Sequence, residues 1–209
     1  MIQASYTRAL RRGLHVDDVL GLVNQLRDLP APLVGMISYS LVHHRGPQRF
    51  IANAAAAGLA GAIVPDLPVE EGKELAELAG RHDFKLIQLV TPTTQPARAG
   101  QIVKNSTGFV YCVSVAGITG ERDRVPSELL DRLRWLRTQT DLPLCVGFGI
   151  SRPDQVQVLR AHVDGIIVGS ALVRPLEHIG PRPAPEVVRE IGLLATDLMA
   201  PLKAPAVTE

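Results

Sequence analysis

What this chain has little of narrows its function before any motif is considered. It carries two cysteines in 209 residues, and aromatic residues make up only 4%. Cys112 and Cys145 each lie inside an apolar run (FVYCVS and PLCVGFG), with no CxxC or Cys/His spacing around them. That excludes a disulfide framework and a thiolate metal site, and it predicts two buried thiols in a reducing compartment. The shortage of aromatics excludes a base-stacking surface. A net charge of +1 removes the electrostatic case for a nucleic-acid or membrane partner. No apolar run approaches the roughly 20 residues a membrane span needs, and no signal-peptide pattern opens the chain. A cytoplasmic enzyme or binding domain is therefore expected. A Rossmann sheet would place GxGxxG between its first strand and helix, and that loop is missing too.

What is present is an alternation of short apolar runs and amphipathic stretches. Residues 33–39, 61–65, 85–90, 108–113, 143–147 and 164–168 are short, continuous apolar runs, each with β-branched residues, as buried parallel strands are. Between them, apolar residues at spacings of three and four predict helices over 17–28, 46–57, 69–80, 96–105, 126–139, 153–161 and 185–199. Pro126-Ser127-Glu128 reads as one helix start, and Ser151 before Pro153 and Asp154 as the cap of another. Residues 180–185 (GPRPAP) read as a linker before the last helix rather than a domain boundary. Alternating strand and helix means parallel strands with right-handed crossovers, in an open doubly wound sheet or a barrel, and the missing GxGxxG loop counts against the first. The fold expected is α/β, a (βα)8 TIM-barrel type with six of its strands visible over residues 1–209.

Two glycine clusters follow consecutive expected strands: Gly147-Phe148-Gly149-Ile150-Ser151 and Gly169-Ser170-Ala171. In a barrel, the loops after the last two strands commonly bind phosphate. Glycine lets backbone N–H groups approach an anion, and a helix starting near Ser170 would add its positive end. A third cluster, Gly117-Ile118-Thr119-Gly120, precedes four charged residues and reads either as a mobile active-site loop or as a plain solvated one.

Five motifs then occur in order: IVPDLPVEE (63–71), PTT with a following arginine (92–98), GFVYCVSVAGITG (108–120), VGFGIS (146–151) and DGIIVGSALV (164–173). Together they resemble the tryptophan synthase α subunit family, with Ile2-Gln3 and Arg8-Ala9-Leu10 similar to the segment just beyond that family's second strand. The resemblance runs from Ile2 to about residue 203 and implies one incomplete barrel domain over 1–209, strands three to eight. It further implies a retro-aldol lyase that cleaves indole-3-glycerol phosphate to indole and glyceraldehyde 3-phosphate in tryptophan biosynthesis. The implied partner is a β subunit carrying pyridoxal phosphate in an α2β2 tetramer, with no cofactor in this chain.

Carried over residue by residue, Tyr111 matches a tyrosine that points into the pocket. Thr119 and Gly120 match the loop that closes over substrate. Gly120, Gly149, Gly169 and Ser170 match the phosphate-binding positions, and Ile63, Val90 and Phe148 the walls around the indole. Asp66 and Pro68 match a loop facing the β subunit. Either Ser38 or Tyr39 fills a family tyrosine position. The family's catalytic glutamate (in an ELG context) and aspartate (in a DGP turn) find no match in residues 1–209, so these residues alone are expected to be inactive. Met1 stands where the family usually has a small or β-branched residue between the DGP turn and Ile-Gln, which leads us to expect an in-frame coding segment upstream ending in ELG…DGP.

Two other functions are compatible with the same residues. One is a non-catalytic module that docks on a β subunit. The other is a different phosphate-binding barrel enzyme using Tyr111 or Asp66 as acid or base. His43 and His44 fall in the expected loop after the first strand, without carboxylates or thiols at metal spacing. Glu70 and Glu71 open a helix, where acidic side chains favour the dipole.

Overall fold

The structure is a computed structural model that describes residues 2–114, 126–147 and 149–203, with side chains described from residue 7 onward. The chain opens on two helices, α1 (Ile2–Arg11) and α2 (Val16–Gln25), and strand then alternates with helix. The strands are β1 (Leu33–Met36), β2 (Leu59–Ile63), β3 (Lys85–Ile87), β4 (Leu89–Val90), β5 (Val110–Val113), β6 (Leu144–Gly147) and β7 (Gly165–Ile167). The helices after β1 are α3 (Tyr39–Arg45), α4 (Pro47–Ala57), α5 (Val69–Gly80), α6 (Pro96–Asn105), α7 (Ser127–Arg137), α8 (Pro153–Leu159), α9 (Ser170–Val173) and α10 (Ala184–Lys203). A 3-10 turn (Arg174–His178) links the last two.

The chain divides into two compact units, one of residues 6–111 with 139–142, the other of 1–5, 112–138 and 143–209. In the first, β1, β2 and β3 lie side by side and parallel, with Met36 opposite Ile63 and Ile63 opposite Ile87. Their helices bury one apolar cluster that includes Phe50, Ile51, Leu75, Phe84 and Leu86. Each such side chain contributes about 1.5–3 kcal/mol by leaving water. In the second unit, β6 pairs in parallel with β7, and the order is β5-β6-β7. Asp164 ties the start of this pair. Its carboxylate accepts the Leu144 N–H at 2.8 Å and pairs with Arg137, contacts that hold its pKa below the usual carboxylate range.

Four local expectations change. The run 85–90 is broken at Gln88, a buried polar residue whose side-chain N–H donates to Asn105 O at 3.1 Å. The first strand ends at Met36 with one further bond, Ile37 N–H to Ile63 O, and the next element is α3 rather than a loop. Arg152, not Ser151, is the N-cap of α8, and Gln155 Oε1 accepts both of their N–H groups. Finally, α10 starts at Ala184, so Pro185 sits in its first turn, where a missing N–H costs nothing.

β1 is an edge strand, and it carries neither charge nor proline to protect that edge. Leu22, Leu26, Leu29, Val34 and Met36 of the same unit are all exposed. Residues 1–209 alone should therefore bind an environment-sensitive hydrophobic dye strongly under native conditions. Fluorescence no higher than that of a compact monomer of similar size would show these side chains to be covered in solution.

Candidate active site

Barrel enzymes place their chemistry at the carboxyl ends of the strands, so those ends decide what this chain can do. In the first unit, Ile63 closes β2 and Val90 closes β4. They are 8% and 2% exposed, so both side chains lie in the packed interior. Tyr111 in β5 is buried as well, and its N–H donates to Gln88 O at 3.1 Å. Burial pushes the Tyr111 phenol pKa up, so it stays protonated near neutrality and can donate but not abstract a proton. After Val90 the PTT motif folds on itself, with Thr91 Oγ1 lying 2.9 Å from Thr94 Oγ1 and 3.0 Å from Thr93 Oγ1.

Asp66 is exposed in the β2–α5 loop, with Pro68 as the residue before α5. Its Oδ1 accepts the N–H of Tyr39 at 2.6 Å. Tyr39 in turn donates its phenolic O–H to Glu71 Oε2 at 3.2 Å, while Ser38 Oγ lies 2.9 Å from Ser40 Oγ. Glu71 thus has a side-chain partner besides its place in the first turn of α5. His43 and His44 are exposed on α3, and among the described residues no group of three or more His, Cys, Asp or Glu could hold a metal ion.

In the second unit the two glycine turns share a register. Gly147 of β6 pairs with Ile167 of β7, and Gly149 and Gly169 each lie two residues further along. Both turns therefore leave adjacent parallel strands from one rung, strands that run about 4.8 Å apart. Gly149 has φ +78°, a conformation that favours glycine. Gly169 is the N-cap of α9 and Ser170 its first residue; both are exposed, and a Cβ added at Gly169 would meet nothing within 4 Å. Sequence reasoning missed Ser114, whose N–H and Oγ donate to Gly147 O at 2.9 and 3.1 Å and fix the strand just before its turn. Thr119, Gly120 and Phe148 lie outside the described residues.

Cys112 is buried and its thiol is pushed up to about 12 by burial, which suits a core residue rather than a nucleophile. Cys145 is only partly buried, which corrects the expectation of two buried thiols, because its strand neighbour is the side-chain-free Gly165.

Parallel strands alternating with helices, with glycine turns at the carboxyl ends of the last two, define a TIM-barrel-type α/β enzyme fold. The family model described as "Tryptophan synthase alpha chain" matches residues 1–198. The tryptophan synthase alpha chain of Rhodopirellula baltica is 48% identical over 178 residues, 83% of this chain and 64% of that relative. The alpha chain of Rippkaea orientalis is 40% identical over 205 residues, 97% of this chain and 76% of its own length. The solved tryptophan synthase A-subunit of Pyrococcus furiosus superposes with a TM-score of 0.83 at 32% identity, covering 95% of this chain and 79% of that one. This chain belongs to the tryptophan synthase alpha chain family, a lyase family by that resemblance. The first of these matches spans just under two thirds of the relative's length. Among the described residues, no helix is long and apolar enough to cross a membrane.

Proposed function

We propose that this chain is the α component of tryptophan synthase, cleaving indole-3-glycerol phosphate to indole and glyceraldehyde 3-phosphate. The step needs a proton delivered to the indole ring carbon, a proton taken from the substrate hydroxyl, and negative charge near the ring N–H. On this reading the carboxylates for that work lie outside residues 1–209. The residues present bind and orient: Gly120, Gly149, Gly169 and Ser170 hold the phosphate, and Ile63, Val90 and Phe148 wall the indole. Tyr111 and Thr119 support the chemistry.

Residues 1–209 form one incomplete barrel domain, working in the cytoplasm. Asp66 and Pro68 face a β subunit that carries the pyridoxal phosphate, in an α2β2 tetramer. The observation that carries the reading is the shared rung beneath Gly149 and Gly169, which supports an anion cradle of backbone N–H groups.

Glycerol phosphate or sulfate titrated into the chain should bind weakly, and Gly169→Asp should weaken that binding by at least about tenfold. The open space at Gly169 lets the variant fold, so the loss is electrostatic. Equal affinity in calorimetry for the two proteins would put the anion elsewhere.

A further inference from the structure

We infer that Asp66 is a positioning residue that, with Glu71, fixes the start of α3 and the side chain of Tyr39 at the carboxyl end of β1. Only its kinetic consequence rests on the lyase reading above.

The first N–H groups of any helix lack partners within it, and a polar side chain at the N-cap normally supplies one. In α3 that position belongs to Ser38, a favoured cap residue, yet Ser38 makes no capping bond. The acceptor comes instead from 27 residues away, as Asp66 Oδ1 at 2.6 Å from the Tyr39 nitrogen. A carboxylate at this end also meets the positive end of the helix dipole. Seven residues are too few to hold a helix by propensity, so the cap matters more than usual.

Tyr39 is held at its other end too, by the phenolic hydrogen bond to Glu71 in the first turn of α5. Its ring leans on His43, one turn on, with centroids 5.9 Å apart. At the far end of α3, Arg45 pairs with Asp17 of α2. The two carboxylates holding Tyr39 lie on either side of Leu67 and Pro68 in sequence.

Hydrogen–deuterium exchange resolved at single residues tests this at low protein concentration. The Tyr39 amide has no acceptor inside its own helix, so its protection reports the Asp66 bond. It should be protected in the native sequence. In Asp66→Ala it should exchange about fivefold faster or more, with β2 and α5 unchanged. Asp66→Asn, which keeps an acceptor oxygen, should recover most of the protection. Equal exchange in the native chain and Asp66→Ala overturns the inference, as does Asp66→Asn matching Asp66→Ala. Should Asp66→Ala not fold, Asp66→Leu, similar in size and without an acceptor, takes its place: exchange faster than native at Tyr39 supports the bond, and unchanged exchange overturns it.

With the acid/base segment and β partner supplied, indole release should fall in Asp66→Ala and recover in Asp66→Asn. No indole from the native sequence under those conditions, with the exchange result intact, would count against the lyase reading alone.

Discussion

Indole release from indole-3-glycerol phosphate by residues 1–209 alone should be at least about 100-fold slower than by the same residues preceded by the family's first βαβ segment, because general acid/base catalysis contributes roughly 100- to 10,000-fold. The added segment, fused or supplied as a separate fragment, brings the glutamate and aspartate that the family resemblance assigns to proton transfer. It should also lower dye binding if it covers the apolar side chains around β1. The control is Tyr111→Phe, which should lower the residual rate of the 209-residue chain by no more than about tenfold, as the loss of one supporting hydrogen bond does. A Tyr111 phenol kept protonated by burial cannot serve as the base. Comparable indole release by the two forms would move the chemistry into residues assigned here to walls and loops, and a loss of about 100-fold or more in Tyr111→Phe would make that tyrosine the acid.

Gly61→Ala should cost about 2–3 kcal/mol of unfolding free energy, at the upper end of what overpacking does. A Cβ there would lie 2.5 Å from Lys85 O, and that oxygen belongs to the backbone of the neighbouring strand. It cannot move aside without opening the β2–β3 pairing. Gly165→Ala meets a different obstacle, the Cys145 Sγ at 2.6 Å. Its cost should be smaller, and Cys145→Ala in the same chain should restore most of it. Urea midpoints of the two single variants and the double variant give the coupling directly. A Gly61→Ala chain that unfolds at the native midpoint would mean that β2 and β3 leave room for a methyl group between them. Additive costs for Gly165→Ala and Cys145→Ala would mean that the sulfur does not cover Gly165.

The order of strands and helices was legible because each element carries its own pattern. Runs such as GAIVP and DGIIV are short and apolar, and the helices between them repeat their apolar residues at three and four. The glycine turns at 147–149 and 169 were legible for the same reason, as local breaks at strand ends. What escaped depends on distant partners. α3 has no local start signal that works, since its cap comes from Asp66. The break at Gln88 looked like part of a strand because its buried side chain is satisfied by Asn105, 17 residues away. Ser114 could be noticed only once β5 and β6 were neighbours. The exposure of Cys145 likewise follows from the residue opposite it, not from its own apolar run. The indole and interface residues came from the family resemblance, whereas the turns at Gly149 and Gly169 already pointed to phosphate by following consecutive strands.

The common rung beneath Gly149 and Gly169 bears on how the protein can change over generations. The turn after α8, residues 161–163, lies between the two strands in sequence but contributes nothing to the level at which those strands end. Insertions or deletions there alter only the length of a detour, and related genes should accumulate them freely. Losing one residue at Val168 is another matter, because it would withdraw Gly169 by about one residue's rise, about 3.3 Å, while Gly149 stayed in place. Natural variation in length should therefore crowd into that turn and leave the single residues between β6 and Gly149 and between β7 and Gly169 untouched.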